Sequence, residues 1–154
     1  MREKIISGIQ QIGIGVNDVY DAWRWYKDHF GVDIKMFEEE AVAELMLPYT
    51  GGKPRARHAV LALNMQGGGG FEIWQYKERI PEAPVSEPQL GDLGIFAAKI
   101  KTRDVAAVYN DFLSKDIKII GGVQKNPAGE EHFFISDPFG NIFQIVHSGN
   151  WFVK

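Results

Sequence analysis

The chain has 154 residues, 45% of them apolar and 24% charged, with a net charge of −3, so it can bury a real core and is neither disordered nor basic enough for nucleic acid. It contains no cysteine, which excludes disulfides, thiolate metal ligands and cysteine nucleophiles. Its first residues lack the apolar run of a signal peptide and no stretch nears the ~20 apolar residues of a membrane span, so a soluble cytoplasmic protein is expected.

The opening stretch Ile9–Val16 alternates Gln11, Gly13 and Gly15 with Ile12, Ile14 and Val16, the pattern of a strand with one face against an apolar layer. A helix is predicted over about Val19–Phe30, capped by Asn17 or Asp18 and stopped by Gly31. Its stripe of Val19, Ala22, Trp23, Tyr26 and Phe30 should cover Ile12, Ile14 and Val16, leaving Gln11, Gly13 and Gly15 to face a concavity. Strands are predicted around Lys35–Glu40, extending as far as Leu47 in the longer reading, and around Ala59–Met65, with a loop over Pro48–Pro54 between them. Asn64–Gly70 reads as a flexible hairpin connection, because its four glycines lack the Lys-Ser/Thr ending and the helix of a phosphate loop. Phe71–Tyr76 is the next strand.

Pro81, Pro84 and Pro88 mark a linker, and the order of elements then repeats. Gly94–Ile100 is the second opening strand, followed by a helix over about Arg103–Ser114 with Thr102 as its cap and Val105, Val108, Tyr109 and Phe112 inward. Phe133–Ser136 leads through the turn Asp137-Pro-Phe-Gly-Asn141 into the last strand, Asn141–His147, where Phe143-Gln-Ile echoes Phe71-Glu-Ile. The end, Trp151-Phe-Val153, must pack on the fold, on a second subunit or over a ligand. The expected fold is α+β: two tandem β-α-β-β-β modules, about 8–78 and 92–152 with a linker at 79–91, in one domain spanning 1–154. They would form a curved mixed sheet around a central cup, with the helices outside.

The segment Ile12-Gly-Ile-Gly-Val-Asn-Asp18 with its aromatic helix Trp23-Arg-Trp-Tyr26, the turn and strand Ser136–Ile145, and the duplication together resemble the vicinal-oxygen-chelate superfamily, the glyoxalase, bleomycin-resistance and extradiol-dioxygenase group. The resemblance implies the fold but only a range of functions, from lyases, epimerases, oxygenases and thiol transferases to drug binders without catalysis. Metal-using members place one ligand on the first and one on the last strand of each half. Carried over, these positions are Gln11, Glu72 and Gln144, with Ile95 at the fourth. One carboxylate and two amides make a weak site for a divalent metal, which stays open with waters or substrate oxygens as extra ligands. Extradiol chemistry, which needs two histidines and a carboxylate, is disfavoured.

Glu72, inward on its strand with Trp74 two places on, sits in a partly apolar setting that suits a general base removing a proton beside a carbonyl. The alternative is a structural carboxylate bonded to Gln11 and Gln144. Those amides either orient a ligand or hold one another and a buried water. Trp74 and Phe134 are candidate pocket walls, and Lys99 either meets an anionic ligand or is simply exposed. His29, His132 and His147 read as solvated or structural; His58, after Arg55-Ala-Arg57, either greets an anion or lies at a loop edge. Two functions are expected: an atypical lyase or isomerase acting on a small carbonyl compound with Glu72 as base, or a metal-free protein that binds or sequesters a small organic molecule. Neither nucleic acid nor membrane is an expected partner, and the apolar tail and strand edges are consistent with a homodimer.

Overall fold

The computed structural model describes residues 9–82, 85–86 and 89–149, so Trp151, Phe152, Val153, Pro84 and Pro88 lie outside the described residues. The chain divides into two units, Met1–Ala83 and Pro84–Lys154.

In the first unit the elements are β1 (Gln11–Gly15), α1 (Val19–Phe30), β2 (Ile34–Val42), β3 (Ala56–Asn64) and β4 (Gly69–Tyr76). The sheet runs β1-β4-β3-β2, with β1 parallel to β4 and the other pairs antiparallel. Asp18 starts α1 by accepting from the Asp21 amide at 2.9 Å, and Gly31 ends it in the left-handed region at φ 63°. Val19, Ala22, Tyr26 and Phe30 are buried, and the last two set their rings 4.7 and 6.2 Å from Phe71 on β4. Trp23 is only half-buried, and its indole N–H donates to the Val32 carbonyl at 2.9 Å. β2 stops at Val42, and a 3-10 helix over Glu44–Tyr49 replaces both the extended strand and the start of the expected loop. Since the Asp18 carboxylate satisfies an amide that has no partner within the helix, Asp18→Ala should cost about 1 kcal/mol in urea unfolding. An unchanged midpoint and slope would show that the cap contributes nothing.

The second unit repeats the plan: β5 (Ala98–Thr102), α2 (Val105–Ser114), β6 (Ile119–Lys125), β7 (Glu131–Ser136) and β8 (Ile142–His147), ordered β5-β8-β7-β6 with β5 parallel to β8. Val105 and Phe112 are buried, and Tyr109 and Phe112 meet Phe133 edge-on. The expected strand over Gly94–Ile100 begins only at Ala98, and Ile95 is 76% exposed ahead of it. The cap is Asp104, which accepts from the Ala107 amide at 2.8 Å, while the Thr102 hydroxyl accepts from the Asp104 amide at 3.1 Å. β6 had no counterpart among the predicted strands, since Gly121 and Gly122 interrupt its alternation at a bulge between Ile120 and Gln124. In the turn before β8, the buried Asp137 carboxylate accepts from the Phe139 and Asn141 amides at 2.9 and 2.7 Å and from the Asn141 side chain at 2.8 Å. The fold is α+β, with two successive β-α-β-β-β modules. No helix among the described residues is long and apolar enough to cross a membrane.

Candidate functional site

Alternation along β4 sends Phe71 and Ile73 toward α1 and Glu72, Trp74 and Tyr76 to the opposite face. The parallel pairing sets Gly13 beside Glu72 and Gly15 beside Trp74. Gln11, one step further along the same face of β1, donates from Nε2 to Glu72 Oε2 at 2.9 Å. A Cβ built at Gly13 or Gly15 meets no atom of the described residues within 4 Å, so the floor next to the carboxylate and the indole is flat and unfilled. Glu72 is half-buried.

Arg57 on β3 completes this face. In the ladder Arg57 pairs with Tyr76, Ala59 with Trp74 and Leu61 with Glu72. The guanidinium carbon lies 4.7 Å from the centre of the Trp74 ring, and Nη2 is bonded to Glu39, whose side chain is 51% exposed. Nη1 is enclosed with no hydrogen-bond partner among the described residues. Sequence reading noticed Arg57 only as a cation near His58. The signal that finds it is strand phase, since Arg57, Ala59 and Leu61 share the face of Glu72.

His58 points the other way. It is neither at a loop edge nor on the face of Arg57; it is 2% exposed within β3, on the side of α1. Its Nε2 lies 2.9 Å from Glu38 and its Nδ1 3.6 Å from Glu40, with the Tyr20 ring edge-on at 5.1 Å. Lys35, the Tyr20 hydroxyl and His58 all donate to Glu38 and lower its carboxyl pKa to about 2, while the same bond raises that of Tyr20. This network ties α1, β2 and β3 together behind the sheet.

In the second unit Gln144 pairs with Lys99 on one side and Phe134 on the other, forming a row on the face opposite α2. Lys99 is exposed; Gln144 and Phe134 are half-buried. His132 shares that face, with its ring 5.6 Å from Phe134 and its Nδ1 enclosed without a partner among the described residues. Lys99, Gln144 and His132, but not Phe134, line a cleft of about 520 Å³ together with Asn126, Glu130 and Glu131. The period of two that His132 shares with Phe134 was the available signal for its position. Gln144 pairs with Lys99 as Glu72 pairs with Gly13, so the residue matching Gln11 is Ala97 rather than Ile95. Neither has a donor atom.

Glu72 and Gln11 share the first sheet with Trp74; Gln144, Phe134 and Lys99 share the second. As ligands for a divalent ion, Glu72 and Gln11 offer one carboxylate and one amide, and the amide turns an N–H toward the carboxylate. Among the described residues no three His, Cys, Asp or Glu side chains cluster to hold a metal. This donor set does not fit a zinc-like centre.

The family model of the Glyoxalase/Bleomycin resistance protein/Dioxygenase superfamily matches residues 8–145. A glyoxalase family protein from Bacillus cereus superposes with a TM-score of 0.73 at 11% identity, over 96% of this chain and 97% of that one. A glyoxalase family protein from Enterococcus faecalis gives 0.65 at 15% identity, over 91% and 97%. Lactoylglutathione lyase from Agrobacterium tumefaciens gives 0.58 at 20% identity, over 97% and 100%. No curated protein matches the chain by sequence. At these identities the structural likeness speaks for the fold.

Proposed function

The chain belongs to the Glyoxalase/Bleomycin resistance protein/Dioxygenase superfamily, and within it we propose a lyase or isomerase acting on a small carbonyl compound, with Glu72 as its base. The observation that supports this reading is the Glu72 carboxylate, held by Gln11 at 2.9 Å beside Trp74 and above the unfilled floor at Gly13 and Gly15. Gln11 occupies one carboxylate oxygen and leaves the other for substrate. Glu72 takes the proton from the carbon next to the carbonyl, and the C–H electron pair moves toward the carbonyl oxygen to give an enolate. Where the deprotonated carbon carries a hydroxyl, moving that hydroxyl's proton to the former carbonyl oxygen and returning the carbon-bound proton from Glu72 to the former carbonyl carbon completes an isomerisation. Where the carbon β to the carbonyl carries a leaving group, its departure with the bonding electron pair as the carbonyl re-forms completes an elimination. No bound ion enters this scheme.

The test is exchange of α-protons for deuterium in heavy water, followed by NMR over a panel of 2-oxo and 2-hydroxy carbonyl compounds. Glu72→Gln keeps the shape and removes the base, so exchange of any active compound should fall about 10²–10⁴-fold. Exchange at the wild-type rate in that variant would remove Glu72 from the chemistry. A second reading, a protein that binds a small organic molecule without converting it, draws on the Arg57 and Trp74 contact. It expects saturable quenching of tryptophan fluorescence by a ligand that undergoes neither exchange nor conversion.

A further inference from the structure

We propose that Arg57, seated on the Trp74 indole, is the anchor for a carboxylate carried by the ligand, so that the molecules this face accepts are small planar carboxylic acids with a carbonyl directed to Glu72. The inference rests on the reading of the Glu72 face as the ligand site and specifies its substrate class. Three observations carry it.

The guanidinium is positioned before any ligand arrives. A cation–π contact with Trp74, 4.7 Å from Cζ to the ring centre, and the bond to Glu39 hold it in place, and a planar fork of donors matches a carboxylate in a way that a lysine ammonium does not. Its hydrogen bonding is also incomplete: Nη1 is enclosed without a partner among the described residues, while Nη2 is bonded only to Glu39 among the partners the structure gives it. An enclosed donor with no acceptor is unfavourable, and a two-oxygen anion would satisfy both nitrogens at once. Finally, the existing partner is exchangeable. The Glu39 side chain is 51% exposed, and an ion pair of that kind is weakly held in water. A ligand carboxylate would displace Glu39 and bring the fork out from under its present cover.

Position sets the size of the ligand. Trp74 is two strand steps from Glu72, about 7 Å along β4, and the fork lies over that ring. A carboxylate on Arg57 therefore leaves room for a flat body over the Gly15 and Gly13 floor, beside the indole, before the reacting carbon reaches Glu72. Arg57 acts here as a specificity-determining residue and takes no part in the proton transfer.

The experiment uses benzoate and its neutral isostere benzamide as probes, titrated against the whole chain and read by tryptophan fluorescence, with Trp74→Phe to identify the responding indole. Benzoate should bind more tightly than benzamide. Arg57→Gln should weaken benzoate at least about tenfold and leave benzamide unchanged, since one charge-assisted pair is lost. Glu39→Gln removes the competitor and should strengthen benzoate, and this variant carries the test if Arg57→Gln does not fold. If both probes bind alike and Glu39→Gln leaves benzoate unaffected, Arg57 is not the anchor, although the face still binds ligands. If neither probe changes the Trp74 signal, the reading of this face as a ligand site fails, and the anchor fails with it.

Discussion

Phe133→Ala is expected to destabilise the second unit by about 3–5 kcal/mol, measured by urea unfolding. Phe133 is 0% exposed on the interior strand β7, where its ring is met edge-on by Tyr109 at 5.2 Å and Phe112 at 6.1 Å. Truncation removes most of a large apolar side chain from the layer between α2 and the sheet. The strands on either side of β7 are fixed by their ladders, so the space closes only in part and the cavity adds to the lost transfer energy. The edge-to-face contacts with two helix rings go as well. The neighbouring Phe134 supplies the control, since it points to the opposite face and is half-buried. Phe134→Ala should cost clearly less. Equal losses at both positions would mean that the α2 layer is not the core of this unit.

Gly70→Ala is the second change with a large expected effect, about 3 kcal/mol or more, although it adds a single methyl group. A Cβ at Gly70 would lie 2.0 Å from the Ala62 carbonyl oxygen, 2.6 Å from Leu63 Cδ2 and 2.8 Å from Leu63 Cα. Two of those atoms are backbone, held in place by the β3–β4 ladder that pairs Leu63 with Gly70. The Gly70 amide is also engaged, donating to the Gln10 carbonyl at 3.2 Å. No side-chain rotation relieves the overlap; the strands must separate or slip. Gly67→Ala is the matched control, because a Cβ there meets no described atom within 4 Å and should change stability by no more than about 1 kcal/mol. Thermal melts of the two variants compare them directly. Similar midpoints would mean that Gly70 is not in close contact with β3.

The glycine run shows where sequence reading stops. Four glycines in a row look like a flexible connection, and nothing local separates Gly67 from Gly70. Yet Gly69 and Gly70 belong to β4, and the requirement at Gly70 comes from residues on another strand. The same reasoning applies to Ile95. Local alternation favoured an early start to the second opening strand, but the pairing of Lys99 with Gln144 places Ala97 at the position equivalent to Gln11. Strand register is set by hydrogen bonds to a partner distant in sequence, and a shift of two residues leaves the alternation unchanged. The choice of Asp104 over Thr102 as cap depended on a boundary that lies within a residue or two of either.

From the residues alone followed the duplication, both helices, the strands other than β6, the faces of β1 and β4, most of the buried side of α1, its start at Asn17 or Asp18 and its end at Gly31. Those are properties of alternation, helical period and backbone preference, all written within a dozen neighbouring positions. The tertiary structure decided that Gln11 meets Glu72 across 61 residues, that Arg57 rests on Trp74, and that His58 turns to the helix side between Glu38 and Glu40. Contacts of that kind exist only once β1, β2 and β3 have taken their places around β4, because the pairing of strands, and not the chain's local chemistry, brings such distant side chains within reach.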